Sequence, residues 1–362
     1  MPNRLPLHDR HVAAGARFET VCDWDLPNDY GDAADEYAAA HRRVALVDRG
    51  NWGVLEVTGR DRATFLHALL SNEVKALAPG QGCAAALLDA HGKVQVVLFV
   101  WVLEDRIRLV MERGRTEKIA QALDHYLFAE KVSLRDASDE TLSLVLVGPE
   151  APATIERLAG VRPPEPRWSH LTGSLDGVTV RLVTGGGETG DPDVWVSCAA
   201  AHGPRVWDAL VGGGASPIGV TAYESLRIEA GTPLFGHDVD ESTLLPEIPH
   251  EHLVSYTKGC YPGQEVVVRI RDRGHVNRRL AGLVLEGEAV PPDGAEVVVD
   301  GAAVGRVTSA TWSLGLGRPI ALGFVRREHA EPGRAVAVRL GDRTVAARIA
   351  ALPFGRELRK NA

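Results

Sequence analysis

The sequence predicts an α+β protein of more than one domain that ends in a small antiparallel β-barrel. The chain has 362 residues, more than one hydrophobic core usually supports. Helix-period and strand-period segments are mixed through the first 279 residues, whereas residues 280–355 consist of short apolar strands separated by glycine turns. This change predicts a separate barrel domain over residues 280–362.

Composition and charge are those of an ordinary globular protein. Apolar residues make up 45% of the chain and charged residues 24%, which argues against disorder and against a fibrous architecture. The net charge of −8 provides no bulk attraction for nucleic-acid phosphates. We therefore do not expect nucleic acid as a partner, unless a local basic patch supplies the attraction.

Targeting signals and cysteine pairs are missing from the sequence. The first ten residues, MPNRLPLHDR, contain no apolar core of a signal peptide, and no run of 18 uncharged apolar residues occurs. The four cysteines are far apart and form no CxxC pair, which argues against a zinc cluster and a disulfide framework. We expect a cytoplasmic protein with no membrane contact and no metal site.

The first predicted elements are a helix, a strand and a second helix. Asp32–Arg43 has helical periodicity, and Trp52–Val57 alternates like a strand before the turn Thr58-Gly59. Asp61 is the predicted N-cap of the following helix. The apolar face of that helix is predicted to carry Phe65, Leu66, Leu69 and Leu70.

Three strands and a helix are predicted next, at Ala84–Leu88, Val94–Leu103, Arg106–Met111 and Thr116–Phe128. Clustered prolines at positions 163–166 and glycine triplets at 185–187 and 212–214 predict surface connections. We therefore expect residues 1–279 to form two interleaved α+β domains, with the connection near residues 160–190.

A further helix precedes a long polar segment. In TAYESLRIEAG, Thr221 is the predicted N-cap, Glu224 its capping-box partner and Gly231 the helix stop. The segment that follows, residues 232–274, is too long and too polar for a simple loop. Long ordered connections often carry binding sites, so we expect functional residues here.

Motifs in and around this segment resemble one known family. RIEAGTPLFGHD, LLPEI and KGCYPGQE are similar, in this order, to motifs of the YgfZ family, which belongs with the T protein of glycine cleavage. Further on, VGRVTSA, IALGFV and LPF resemble the C-terminal barrel of the T protein. Near the N-terminus, LHDRHVAAGARF and EYAAAHRRVALVDRGNWGVLEVTGRDRATFL resemble the start of the T protein. The resemblance implies a ring of three domains, with a tetrahydrofolate pocket between the first two that the barrel closes.

The resemblance also implies cofactor-binding residues. Glu229 matches the family's pterin-binding glutamate, and a carboxylate suits the N–H and amino edge of a pterin. From residue type alone, Glu229 is more simply an exposed residue near a helix end. Arg227 points about 200° away from Glu229 around the helix axis, so both a folate contact and a domain contact stay open for it. Glu247 matches a position beside the pocket, although a loop carboxylate is by default solvated.

The motif KGCYPGQE contains Cys260, Lys258 and Gln264. We predict a functional thiol at Cys260, because the Lys258 cation and a helix opened by Pro262 would both favour thiolate. Gln264 is a candidate folate ligand of the same motif. Two alternatives stay open, a buried inert cysteine and a strand over residues 265–270 that would remove the helix dipole.

A run of cations follows the motif, comprising Arg269, Arg271, Arg273, His275, Arg278 and Arg279. The polyglutamate tail of folate, an RNA phosphate and neighbouring acidic side chains are all candidate partners for it. Arg269 is our candidate for the folate tail. Without a ligand, such a run is a solvated face.

One departure from the T protein decides between two functions. The T protein's catalytic aspartates align with Val96 and Val97, which cannot accept a proton or stabilise a developing cation. The resemblance therefore implies a tetrahydrofolate-binding accessory factor for iron–sulfur protein assembly or repair, with iron–sulfur client proteins as partners. The alternatives are a folate-dependent aminomethyl or methyl transferase and a factor that assists tRNA modification.

Overall fold

The computed structural model describes residues 2–355. Its helices are α1 (His8–Ala13), α2 (Ala33–Arg42), α3 (Arg62–Leu69), α4 (Thr116–Asp124), α5 (Ala151–Ala159), α6 (Gly203–Gly212), α7 (Val220–Glu229) and α8 (Gln264–Arg273). Its strands are β1 (Asn3–Arg4), β2 (Arg17–Val21), β3 (Trp24–Asp29), β4 (Ala45–Asp48), β5 (Trp52–Thr58), β6 (Gly82–Leu88), β7 (Val94–Val102), β8 (Arg106–Glu112), β9 (Ser133–Asp136), β10 (Thr141–Val147), β11 (His170–Leu175), β12 (Val178–Thr184), β13 (Asp193–Ala199), β14 (Ser216–Pro217), β15 (Arg278–Leu285), β16 (Glu296–Val299), β17 (Ala302–Ser313), β18 (Arg318–Arg326), β19 (Ala335–Leu340) and β20 (Arg343–Ala350).

These strands form four sheets. A small sheet has the order β1-β3-β2, a six-stranded sheet the order β11-β12-β13-β10-β4-β14, and a five-stranded sheet the order β6-β7-β8-β5-β9. The fourth sheet closes into the barrel β15-β18-β17-β16-β19-β20, whose strand pairs are all antiparallel. This confirms the predicted α+β class with a C-terminal antiparallel barrel. The last seven residues of the predicted barrel domain lie outside the described residues.

The chain crosses between the two larger sheets more than once. β4 belongs to the six-stranded sheet, β5–β9 to the five-stranded sheet, and β10 returns to the first. The interval near residues 160–190, predicted as a connection, contains the hairpin β11–β12 of the six-stranded sheet. The proline cluster precedes the first strand of this hairpin and the first glycine triplet follows the second, so the turn residues mark the two ends of the hairpin.

The two larger sheets share one apolar core. Val54 of β5, Trp101 of β7 and Val110 of β8 belong to the same buried cluster as Val183 and Trp195 of the facing sheet. The Trp101 and Trp195 rings meet edge to face with centroids 6.2 Å apart. Because side chains alternate along a strand, this contact fixes which residues of each strand lie between the sheets.

The predicted start of α7 is wrong by two residues. The helix begins at Val220, and Gly219 occupies the N-cap position without a side-chain cap. The backbone passes so close to Asn28 that a Cβ on Gly219 would lie 2.3 Å from the Asn28 carbonyl oxygen. Thr221 instead donates to the Asn28 side chain, and Glu224 pairs with Arg227 rather than closing a capping box.

A buried ion pair connects α7 to the barrel. The Arg227 side chain is fully buried, and its Nη1 donates to Asp238 Oδ2 over 2.8 Å. Its Nη2 donates to Ser309 Oγ of β17 over 2.7 Å, and Asp238 accepts from Thr308 and Ser309 of the same strand. The geometry therefore gives Arg227 the domain contact that the sequence left open.

No helix within residues 2–355 is both long and apolar enough to span a membrane.

Arg227→Met tests how much this ion pair contributes to the free energy of unfolding. The substitution leaves the Asp238 carboxylate buried without its cation, and breaking such a pair costs about 3–5 kcal/mol of unfolding free energy. Urea unfolding followed by circular dichroism measures the loss. Arg205→Met is the matched control, because it breaks the exposed pair with Asp176 and should cost less than about 1 kcal/mol. Equal losses in the two variants would contradict a central role for Arg227.

Candidate functional site

A cavity of about 290 Å³ lies between the two larger sheets and the polar segment that follows α7. Its walls come from β5, β7 and β8, from the loops at residues 167–168 and 186–188, and from residues 230–253. No residue of the barrel is among the lining residues in the described part of the chain. Both larger sheets therefore contribute to the cavity, but the implied closure by the barrel is not seen.

Aromatic rings cover one wall of the cavity. Trp52 begins β5 and stacks on Phe99 of β7 with centroids 5.3 Å apart and an interplanar angle of 12°. Phe99 in turn stacks on Trp168, with centroids 4.1 Å apart. Flat apolar surfaces of this kind suit a planar ring system as ligand.

A carboxylate faces this aromatic wall. Glu112 ends β8 directly opposite Trp52 in the β5–β8 register, so both side chains lie on the same face. The surrounding protein raises the pKa of Glu112 by desolvation, yet 38% of its side-chain surface stays accessible. The nearest cation, Arg115, is 3.8 Å from Glu112 Oε2 and too distant for a strong hydrogen bond. Glu112 can therefore accept hydrogen bonds from a ligand.

A second carboxylate, Glu188, is held by the protein itself. Its Oε2 accepts from Arg49 over 2.8 Å and from the Tyr223 hydroxyl over 3.1 Å. The Arg49 guanidinium is buried over the Tyr223 ring, 4.4 Å from its centroid. Next to this network, burial and the charge of Glu188 raise the pKa of Asp193 to about 7. These contacts hold the glycine loop that forms one edge of the cavity.

One exposed cation borders the cavity. Arg167 precedes Trp168 on the loop before β11, and its side chain is exposed at the cavity edge. No carboxylate of residues 2–355 lies within ion-pair distance of Arg167. A guanidinium in this position can pair with an anionic end of a ligand.

Val96 and Val97 both border the cavity, as expected for the aspartate region. Val97 is partly accessible and packs against the same core cluster as Phe99, whereas Val96 is 1% exposed and packs with Leu98 in the other core of the five-stranded sheet. The alternation of β7 therefore directs Val97 toward the cavity and Val96 away from it.

Glu229, the predicted pterin ligand, does not line the cavity. Its Oε2 accepts from the Tyr37 hydroxyl over 2.6 Å. Its Oε1 accepts from Ser313 Oγ over 2.6 Å, from Ser225 Oγ over 2.8 Å and from the Gly315 amide over 3.2 Å. Glu229 therefore joins α2, α7 and the end of β17. A direct pterin contact by Glu229 stays a prediction that this geometry does not favour.

The other predicted cofactor ligands are also outside the cavity lining. Glu247 is buried and pairs with Arg278 of the first barrel strand over 3.0 Å, so it is not the solvated loop carboxylate of the default reading. Gln264 is the first residue of α8, and Arg269 is exposed on the same helix. The structure therefore does not bring Glu229, Glu247, Gln264 and Arg269 together around one ligand.

The KGCYPGQE motif leads into α8, which confirms the helix and excludes the alternative strand over residues 265–270. Cys260 is exposed, so it is not the buried cysteine of the alternative. Lys258 is buried instead, and its ammonium donates to the carbonyl oxygens of His67 and Leu70. Burial lowers the pKa of Lys258 to about 8. The Lys258 ammonium therefore faces the protein interior, where two carbonyl oxygens accept its hydrogen bonds, and it is not a cation dedicated to the Cys260 thiol.

Gly263 connects this motif to the cavity strand. The helix begins at Gln264 rather than at Pro262, and Gly263 precedes it with φ of +76°. A Cβ on Gly263 would lie 2.5 Å from the Asp89 carbonyl oxygen and 2.8 Å from Gly92 Cα. The turn that starts β7 thus packs directly on the motif, which couples the Cys260 segment to the cavity wall.

Sequence reasoning missed the aromatic residues, the carboxylate and the arginine that line the cavity. Trp52 and Phe99 were assigned only to strands, and Trp168 and Arg167 lie in a segment interpreted as a connection. The available signal was weak: the chain has seven tryptophans, and four of them, Trp52, Trp101, Trp168 and Trp195, form one aromatic cluster with Phe99. Only the fold shows that they converge.

Known proteins match the chain along nearly its whole length. The model of the GCVT N-terminal domain matches residues 7–258, and that of the glycine cleavage T-protein C-terminal barrel domain matches residues 278–355. The relatives include several proteins named aminomethyltransferase. The protein from Rubrobacter xylanophilus is 34% identical over 99% of this chain and 95% of its own, and that from Picosynechococcus sp. is 30% identical over 99% of both.

The fold is shared with a solved structure. The crystal structure of glycine cleavage system aminomethyltransferase T from Bartonella henselae superposes with a TM-score of 0.89, covers 99% of both chains and is 23% identical. The two family models together with the full-length relatives show that the chain belongs to the glycine cleavage T-protein family, the aminomethyltransferase family.

Proposed function

We propose that this chain binds reduced folate in the cavity between its two larger sheets, as a YgfZ-type member of the family, and that it does not catalyse glycine-cleavage aminomethyl transfer. One observation carries the proposal. The cavity combines an aromatic wall and an accessible carboxylate, Glu112, with a valine, Val97, where the T protein has its aspartates.

The side chains of the cavity fit a reduced folate. A pterin presents a planar ring and an edge of N–H and amino donors, for which the Trp52–Phe99 wall and the Glu112 carboxylate supply the complements. The glutamate of folate is anionic, and Arg167 at the cavity edge supplies a cation. These residues replace Glu229 and Arg269 in our proposal for the ligand set.

Valine at the position of the T protein's aspartates supports binding without transfer. Val97 faces the cavity and can neither accept a proton nor stabilise positive charge on a reacting carbon. The relatives named aminomethyltransferase make transfer the principal alternative. The two functions predict the same ligand and opposite results in a transfer assay.

The role in iron–sulfur protein assembly or repair is a finer proposal that depends on Cys260. The observation that favours it is an exposed thiol on a segment packed against the turn that begins β7. Binding in the cavity and chemistry at Cys260 can therefore influence each other. Assistance to tRNA modification has less support, because Arg271 is paired with Asp272 and Arg278 with Glu247.

Glu112→Gln tests the ligand set. A charge-assisted hydrogen bond contributes about 1.5–3 kcal/mol, so this variant should bind tetrahydrofolate at least about tenfold more weakly than the wild type in calorimetry. Glu229→Gln, which changes a carboxylate outside the cavity, should keep an affinity close to the wild type. A larger loss of tetrahydrofolate affinity in Glu229→Gln than in Glu112→Gln would instead indicate that Glu229 binds the pterin.

Val97→Asp tests the missing catalytic group. The wild type should show no aminomethyl transfer from the aminomethyl-lipoyl carrier protein to tetrahydrofolate. Val97→Asp restores a carboxylate at the cavity and should raise the rate above background, because general acid–base help is worth about 10²–10⁴-fold. Val96→Asp is the matched control, since it directs the new charge into a packed core and should lower stability without a gain in rate. Robust transfer by the wild type would contradict the proposal.

Cysteine alkylation tests the proposed thiol. Cys260 should react faster than Cys83 and Cys198, because it is exposed, whereas burial raises the pKa of Cys83 to about 12 and that of Cys198 to about 11. A functional thiol should also react faster than Cys22. Cys22 is the comparison for exposure alone. Cys260→Ser should fold and bind folate normally but fail to restore iron–sulfur enzyme activity in a strain lacking the gene. Restoration by Cys260→Ser, with alkylation no faster than at Cys22, would eliminate the thiol role.

A further inference from the structure

A second cavity of about 350 Å³ lies between the same two sheets, at the opposite end of their shared face. Along β5, Trp52 borders the folate cavity, Val54 is in the shared core and Glu56 borders the second cavity. Along β8, Glu112, Val110 and Arg108 occupy the same three places. The Trp101–Trp195 contact lies in the shared core, so the two cavities are separate sites.

One wall of the second cavity is a row of charges on the five-stranded sheet. Glu56 of β5 pairs in register with Arg108 of β8 on one side and with Arg135 of β9 on the other. Arg106 precedes Arg108 by two residues on β8, so its side chain lies on the same face of the sheet. Glu56 is 2% exposed and accepts from all three guanidinium groups over 2.8–3.1 Å. The buried carboxylate thus holds three arginines at the cavity.

The facing wall is a polar row on the six-stranded sheet. Arg181 of β12 pairs in register with Thr172 of β11 and with Ser197 of β13, so the three side chains lie on the same face. Arg181 donates to His170 Nδ1 over 2.9 Å. No carboxylate of residues 2–355 lies within ion-pair distance of Arg181. Its charge is the one that the protein does not neutralise at this site.

The charges of the two walls do not cancel. Arg106 also pairs with Asp105, and Arg135 also pairs with Glu140. Together with Glu56, these three carboxylates face four arginines, which leaves one positive charge in excess. Burial and the nearby cation of Arg108 lower the pKa of Arg181, because both disfavour its charged form.

A buried hydroxyl supplies an independent sign of a ligand. Ser197 is 3% exposed, and its Oγ has no hydrogen-bond partner within residues 2–355. Buried polar groups are nearly always hydrogen-bonded, so a hydroxyl without a partner on a cavity wall requires an explanation. Ser197 lies beside Arg181, which is also short of an anionic partner.

We propose that this second cavity is a binding site for a phosphate group, either free or as the monoester of a small molecule. Arg181 and Ser197 would donate to it from one sheet, and Arg108 from the other. A tetrahedral anion presents acceptors in several directions and can reach donors on both walls, whereas a planar carboxylate presents two oxygens in one plane. The proposal is independent of folate binding, since no residue is shared by the two cavities.

Titration of the full chain with inorganic phosphate at constant ionic strength tests the site. Calorimetry should detect saturable binding that Arg181→Gln weakens by at least about tenfold and Ser197→Ala by a smaller factor. Arg205→Gln is the control, because it removes the same charge from an exposed surface pair and should leave the affinity unchanged. A parallel titration with glycerol phosphate decides between the two sources: tighter binding than inorganic phosphate indicates a monoester ligand.

The proposal is overturned if wild-type protein shows no saturable binding of either phosphate, or if Arg205→Gln weakens binding as much as Arg181→Gln. Thermal unfolding of each variant checks that the fold is intact. Should Arg181→Gln fail to fold, Arg181→Lys keeps the charge but loses the bidentate fork, and it should still bind phosphate more weakly than the wild type. Unchanged affinity in Arg181→Lys together with Ser197→Ala would also overturn the site.

Discussion

The buried ion pair between Arg227 and Asp238 is the contact on which the arrangement of this molecule depends. It connects three parts of the chain that have no continuous sheet between them: helix α7, the segment that lines the cavity between the two larger sheets, and the barrel. A charge pair without solvent is stable only when every remaining donor and acceptor is satisfied, and Ser309 and Glu224 provide this. Because its partners must all be in place, the pair also fixes the segment after α7 relative to the sheets.

Glu229 illustrates how the family resemblance and the geometry differ. The residue follows Arg227 on the same helix, and its carboxylate accepts from α2 and from the barrel, as a second polar contact between the same parts. A residue of a family motif can therefore hold domains together without lining the cavity. The carboxylate available to a ligand is Glu112, which belongs to no motif that the sequence brought out.

Hydrophobic periodicity and turn residues predicted most helices and strands. They did not predict which distant side chains meet in the folded protein. The barrel and the helices α2, α3 and α4 were accessible because their apolar spacing and turn residues are local signals, whereas helix and strand both stayed open for α8. The cavity depends on Trp52, Phe99 and Trp168, which are distant in sequence and meet only when the two sheets face each other. The same limit applies to the start of α7, where a close approach to Asn28 overrides the capping signal of Thr221.

A crystal structure of the chain with tetrahydrofolate would show which residues hold the pterin. We expect the pterin ring against Trp52 and Phe99, with its donor edge on Glu112, and the glutamate end toward Arg167. The side chains of Arg227 and Glu229 should keep the contacts described above. A pterin bound to the Glu229 carboxylate, or a folate outside this cavity, would overturn the proposed site.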